Sequence, residues 1–209
     1  MRLLKALACG DYKLLKGIIM KTKLLMLTLA VACTFAGNAM SMTKEEYKVQ
    51  KDRVSADYKG NKDKCSALKA NAKDICMAEA KGTEKVAKAE TEAAYKPSAK
   101  NTRDVAIAKG DAVYNVAKQK CDDSTGNAKD VCVKDAKAAH TKSKEDAKVV
   151  KVSTDTTNDK AGKVADAKKD ATEEKNEANY TAARERCNSL TGAGKDTCQN
   201  DAKVKFGMK

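Results

Sequence analysis

Ile107, Gly110, Tyr114, Ala117 and Cys121 recur at alternating steps of three and four residues. That period places them along one face of a helix. The polar stretch Ser124-Thr125-Gly126-Asn127 interrupts it. Gly126 can adopt the positive φ that ends a helix, and Asn127 with Asp130 three residues on has the form of an N-cap and its reciprocal acid. Cys132 and Ala136 then share a face of the next helix, turned back toward the first. The pattern predicts two antiparallel helices joined by a short turn, with Cys121 level with Cys132.

The same arrangement occurs three times. Cys65 and Cys76, Cys121 and Cys132, and Cys187 and Cys198 are each separated by ten residues. Tyr58, Tyr114 and Tyr180 each precede the first cysteine by seven positions, which predicts that they pack within the hairpins. Lys64, Lys120 and Arg186 stand directly before it, and Ala80, Ala136 and Ala202 stand four residues after the second cysteine. The other turns are Lys69-Ala70-Asn71 and Thr191-Gly192-Ala193-Gly194, so each contains Gly or Asn, the residues that best tolerate positive φ. Leu68 and Leu190 follow the first cysteine by three in the outer copies.

Midway between the first two turns lies Pro97, the one proline of the chain, where a helix must stop. Midway between the second and third lies Ser153–Asp159, a stretch poor in helix formers. These breaks predict an all-α fold, an up-and-down array of about six helices built from three disulfide-stapled hairpins at about 43–96, 98–152 and 160–207. One continuous helix from about 128 to 188 is the alternative.

The N-terminal pattern differs. Lys21 and Lys23 precede an uncharged, mostly apolar run from Leu24 to Phe35, and Gly37 and Ala39 are small residues placed for cleavage. This is the form of a secretory signal peptide over 20–39, and 1–19 reads as a start-site error upstream of Met20. Cleavage after Ser41 fits nearly as well as cleavage after Ala39, and lipid attachment at Cys33 is a lesser alternative. The run is too short to span a bilayer, which takes about 20 apolar residues. The expected compartment is periplasmic or secreted, with no membrane span in the mature chain. Cys9 and Cys33 leave with the leader, and six cysteines remain for an oxidising environment. They allow 15 pairings in principle, and tandem repetition favours closure within each copy.

Composition sharpens the picture of the core. From Met40 onward, Leu, Ile, Val and Phe fill only about a tenth of the positions, below the roughly 20% under which disorder becomes the default. Against that stand 29 alanines among many Lys and Glu, all strong helix formers. The prediction is alanine-faced helices around a thin core. The same region carries 36 Lys and Arg against 28 Asp and Glu, a net charge of +8. Only four of those 36 are Arg, which disfavours phosphate forks and base readout, so no specific nucleic acid is expected. Acid and base interleave at helical spacing, as in Glu45 with Lys48 and Asp166 with Lys169, the mark of solvated helix faces.

No motif amounts to a reaction centre. Thr191–Thr197 superficially resembles a phosphate loop, but Ser189 stands where its first glycine belongs and Asp196 where its hydroxyl residue belongs. A calcium loop starting at Asp122 would need an acid where Val133 stands. His140 is the one histidine, so no zinc ligand set forms, and no metal, cofactor or catalytic residue is expected.

The element C-x-x-[LS]-x-[AG]-x-[AG]-K-D-x-C, present in all three copies, resembles small exported helical proteins of Gram-negative bacteria, betaproteobacteria in particular, often labelled TolA-like cell envelope proteins. The resemblance covers nearly the whole mature chain and implies a helical class and a periplasmic address. The functional expectation is a non-enzymatic structural or interaction scaffold acting on an envelope protein or cell-wall component. The alternative is a lysine-mediated binder of polyanions such as lipopolysaccharide or nucleic acid.

Overall fold

A computed structural model describes residues 42–155 and 160–208. The leader reading and residues 156–159 therefore lie outside the described residues. Six helices follow in order: α1 (Lys44–Ser66), α2 (Ala70–Tyr95), α3 (Ala99–Cys121), α4 (Gly126–Thr154), α5 (Lys160–Arg186) and α6 (Gly192–Phe206). A single 3₁₀ turn, Cys187–Ser189, closes α5. No strand occurs among the described residues.

The helix ends follow from local chemistry. Thr43 starts α1 with a full capping box: its hydroxyl accepts from the Glu46 N–H at 3.2 Å, and its own N–H donates to the Glu46 carboxylate at 2.8 Å. The Thr43 bonds hold the Glu46 carboxyl below its ordinary pKa. Pro97 ends the first hairpin, and Ser98 caps α3 by accepting from the Asn101 N–H at 3.1 Å. The α4 helix stops at Thr154 and α5 starts at Lys160, packed against it. The continuous helix from 128 to 188 is thus ruled out, and the chain runs up and down.

The three turns share one backbone course. The residue before the second helix is extended, and the next has positive φ: Ala70 at 49°, Gly126 at 55° and Gly192 at 55°. Each lies five positions after the first cysteine of its copy. Two local expectations are corrected here. Asn127 is not the cap of α4, because the helix begins one residue earlier with Thr125 in the cap position and no side-chain cap bond. In the first copy the left-handed residue is Ala70 rather than Asn71, because Asn71 is already helical and its side chain is bonded across to the next hairpin.

Packing is sequential. Each helix packs substantially only on the helices before and after it in the chain, which makes a one-layer array rather than a closed bundle. Its core is small. The buried apolar residues are Val54, six alanines and the first cysteine of each pair, and those cysteines are the largest side chains fully removed from solvent. Small residues let the backbones approach. A Cβ built on Gly82 would stand 2.8 Å from the Cβ of Ala112 in α3, and one on Gly110 would stand 2.7 Å from that of Ser143 in α4.

Candidate functional site

Disulfides join Cys65–Cys76, Cys121–Cys132 and Cys187–Cys198, with Cα atoms 5.5, 5.6 and 5.8 Å apart. Those separations lie within the ordinary range for a cystine. Up-and-down order brings all three staples to one end of the array. Adjacent tips touch through polar bonds. The Asn71 side-chain amide donates to the Gln119 carbonyl at 2.9 Å and to the Asp123 carboxylate at 2.7 Å. Arg186 pairs with Asp135, linking the second and third tips. Lys129 pairs with Asp122 at 2.9 Å, so the basic residues of this end are partly matched by acids.

The repeated tyrosines are all half-buried. Tyr114 stacks on His140 across the second hairpin, with centroids 4.5 Å apart and planes 9° from parallel. His140 Nε2 in turn lies 2.6 Å from Asp111 Oδ1. Tyr180 lines a groove with Phe206, and Arg184 lies over its ring at 5.9 Å. Tyr58 lines a groove with Met77, Lys81 and Asn115. One further aromatic contact escaped the sequence reading. Tyr47 stacks on Tyr95 with centroids 4.3 Å apart, and its hydroxyl donates to Glu92 at 2.7 Å, a bond that raises the phenol pKa. Equal distance from the staple is the signal that finds it. Tyr47 and Tyr95 flank Cys65 and Cys76 almost symmetrically along the chain, just as Tyr114 and His140 flank Cys121 and Cys132.

Between hairpins run two seams of different character. The α2–α3 groove encloses about 550 Å³ and is apolar, lined by Val86, Ala112, Val113, Val116 and Ala117. The α4–α5 groove encloses about 240 Å³ and is edged by Lys134, Lys137, Glu174 and Glu177. Ion pairs bridge both seams: Lys109 to Glu90 at 2.8 Å in the first, and Lys175 to Asp146 in the second. Lys142, and then Lys175, hold the Asp146 carboxyl below its ordinary pKa.

Comparison of the chain with protein families, curated proteins and solved structures finds no match. All six cysteines of the described residues are oxidised, so none of them offers a thiolate. No group of three His, Cys, Asp or Glu among the described residues is placed to hold a metal ion. No described helix is long and apolar enough to cross a membrane. What the arrangement does offer is surface: one layer of stapled helices with both broad faces open, one apolar seam, and charges of both signs along its edges.

Proposed function

We propose that this protein is a non-enzymatic structural or interaction scaffold of the periplasm or cell envelope, in keeping with the TolA-like resemblance of its repeat. The observation that carries this reading is the one-layer stapled array. A chain with so little apolar volume keeps its helices in register through three cystines and displays most of its surface. Disulfides persist in oxidising compartments, which supports an address outside the cytoplasm. The polyanion reading is the weaker one, because lysines such as Lys109, Lys129 and Lys175 are engaged by acids.

Crosslinking in intact periplasm, followed by identification of the adducts, tests the scaffold reading. Adducts with a defined envelope protein or with cell-wall material are expected. Titration with lipopolysaccharide and duplex DNA at rising salt tests the alternative. Neutralising phosphates releases counterions, so a polyanion site loses affinity steeply with salt. Binding that is already negligible near physiological salt is expected here, where the Debye length is about 8 Å. Sub-micromolar binding that survives such salt would favour polyanions instead.

A further inference from the structure

The contacts between hairpins recur in register, and the two outer helices carry their unmatched halves. Glu90 and Asp146 hold the same position past the second cysteine of their hairpin. Their partners Lys109 and Lys175 hold the same position ahead of the first cysteine of the next. Asp135 lies three after its cysteine and pairs with Arg186, one before the next hairpin's. Glu79 and Lys120 occupy those same positions and both line the first seam. Between the charges sit small residues. Gly82 lies against Ala112, and Ala138 and Ala178, at the corresponding positions, share the second seam. Along one side of each seam an acid on the second helix of one hairpin thus meets a base on the first helix of the next. On the other side of the second seam the signs are reversed, with Lys134 and Lys137 on α4 and Glu174 and Glu177 on α5.

Applied to the two outer helices, this register gives complementary surfaces near the staples, since α6 ends at Phe206, eight past Cys198, short of the position that would face Arg53. On α1 the basic positions are Arg53 and Lys64, with Ala56 where Ala112 and Ala178 stand. Val49, which corresponds to the buried Ala171, is 67% exposed. On α6 the acidic position is Asp201, and the close-packing position is Val204, which is 82% exposed. Neither Lys64 nor Asp201 has an ion-pair partner among the described residues, and Arg53 reaches only Asp57, at 3.9 Å on the same helix.

We infer that the protein associates head to tail with copies of itself, the outer edge of α6 in one copy docking on the outer edge of α1 in the next. Asp201 meets Lys64 as Asp135 meets Arg186 inside the chain, and Val204, bulkier than the Gly82 and Ala138 it replaces, adds apolar contact beside Ala56. Such an interface is heterologous, so it propagates into open assemblies or closes into rings. Repeat arrays ordinarily prevent this with polar terminal faces, whereas the α6 edge retains the exposed Val204. The inference names a partner for the scaffold reading and rests on it.

Sedimentation velocity of the oxidised protein expressed from the full chain, at increasing concentration and low salt, is the test. Species heavier than a monomer are expected to grow with concentration. Lys64→Glu alone and Asp201→Lys alone should each weaken association about tenfold or more, because like charge then meets like. An equimolar mixture of the two variants should associate again, because the acid introduced on α1 of one then faces the lysine introduced on α6 of the other. Both positions are exposed, and far-UV circular dichroism verifies that each variant is folded. A wild-type monomer at every concentration would overturn the inference, as would association indifferent to both reversals. Periplasmic crosslinking separates the two readings. Adducts with other envelope components but none between copies would overturn head-to-tail docking and leave the scaffold reading standing, whereas no adducts of either kind would overturn both.

Discussion

Ala70 holds a backbone conformation that its copies assign to glycine. At Gly126 and Gly192 an added Cβ would meet nothing within 4 Å, so φ alone penalises a side chain there. For an L-residue the left-handed region costs about 1–2 kcal/mol. Ala70→Gly removes that strain, less the greater freedom glycine gives the unfolded chain, about 0.4–1 kcal/mol. The variant should be more stable by roughly 0.5–1 kcal/mol. Gly126→Ala and Gly192→Ala should each be less stable by roughly the same 0.5–1 kcal/mol, all three read from urea midpoints. A second residue-scale expectation concerns Asp146. Its carboxyl titrates below the ordinary 3.8 in the folded protein, so its contribution is full well above that value and is lost as pH falls toward the depressed one. Asp104, held down by Lys100 and then Arg103, behaves in the same way. The melting temperature should therefore fall on acidification, and Asp146→Asn should flatten that fall while lowering stability at neutral pH.

The helices and their pairing were largely legible in the sequence, and the details at their ends were not. Identical cysteine spacing placed three turns and Pro97 one reversal, because each acts through a covalent or backbone constraint independent of context. The weak helix formers of 153–159 placed the other only roughly, since Ser153 and Thr154 still belong to α4. Residue preference misled at Ala70 and Asn127, since the shared turn geometry, set by the staple, dictates which position takes positive φ. The seam ion pairs were invisible for another reason. Glu90 and Lys109 stand closer in sequence than Asp146 and Lys175, chiefly because α4 and α5 run further from their staples than α2 and α3 do, so no fixed sequence period relates the two pairs. Only distance from the staple does. At this scale Gly82 provides a sharp test. Gly82→Ala places a methyl 2.8 Å from the Ala112 Cβ and should destabilise by about 1–3 kcal/mol through overpacking. Gly60→Ala, in the open middle of α1, should instead stabilise by up to about 1 kcal/mol through helix propensity. Equal effects in thermal or urea melts would mean that the α2–α3 backbones are not in close approach.

For the whole molecule, sequential packing makes stability a sum of hairpins and seams rather than the property of one core. Each staple closes a loop between cysteines 11 apart and contributes about 3 kcal/mol in the chain-entropy model. Together they form a large part of a typical domain's total of about 5–15 kcal/mol. Reduction should substantially lower both the helical circular dichroism signal and the melting midpoint. The third hairpin should loosen first, since α6 is the shortest helix, 15 residues against 23 or more for the others, and packs on α5 alone. Hydrogen exchange followed hairpin by hairpin before and after reductant measures that order, and an unchanged melting profile would show that helix packing suffices without the staples.

The staples also bear on how the protein responds to tension. A load applied between the two ends of the array tends to peel its helices apart, but in each hairpin the force passes through the cystine and bypasses the turn. The ten residues between each pair of cysteines are withheld from the extended length until the bond is reduced. Stretched in an oxidising compartment, the protein is a tether of limited reach, and a thiol reductant would lengthen it in three equal increments.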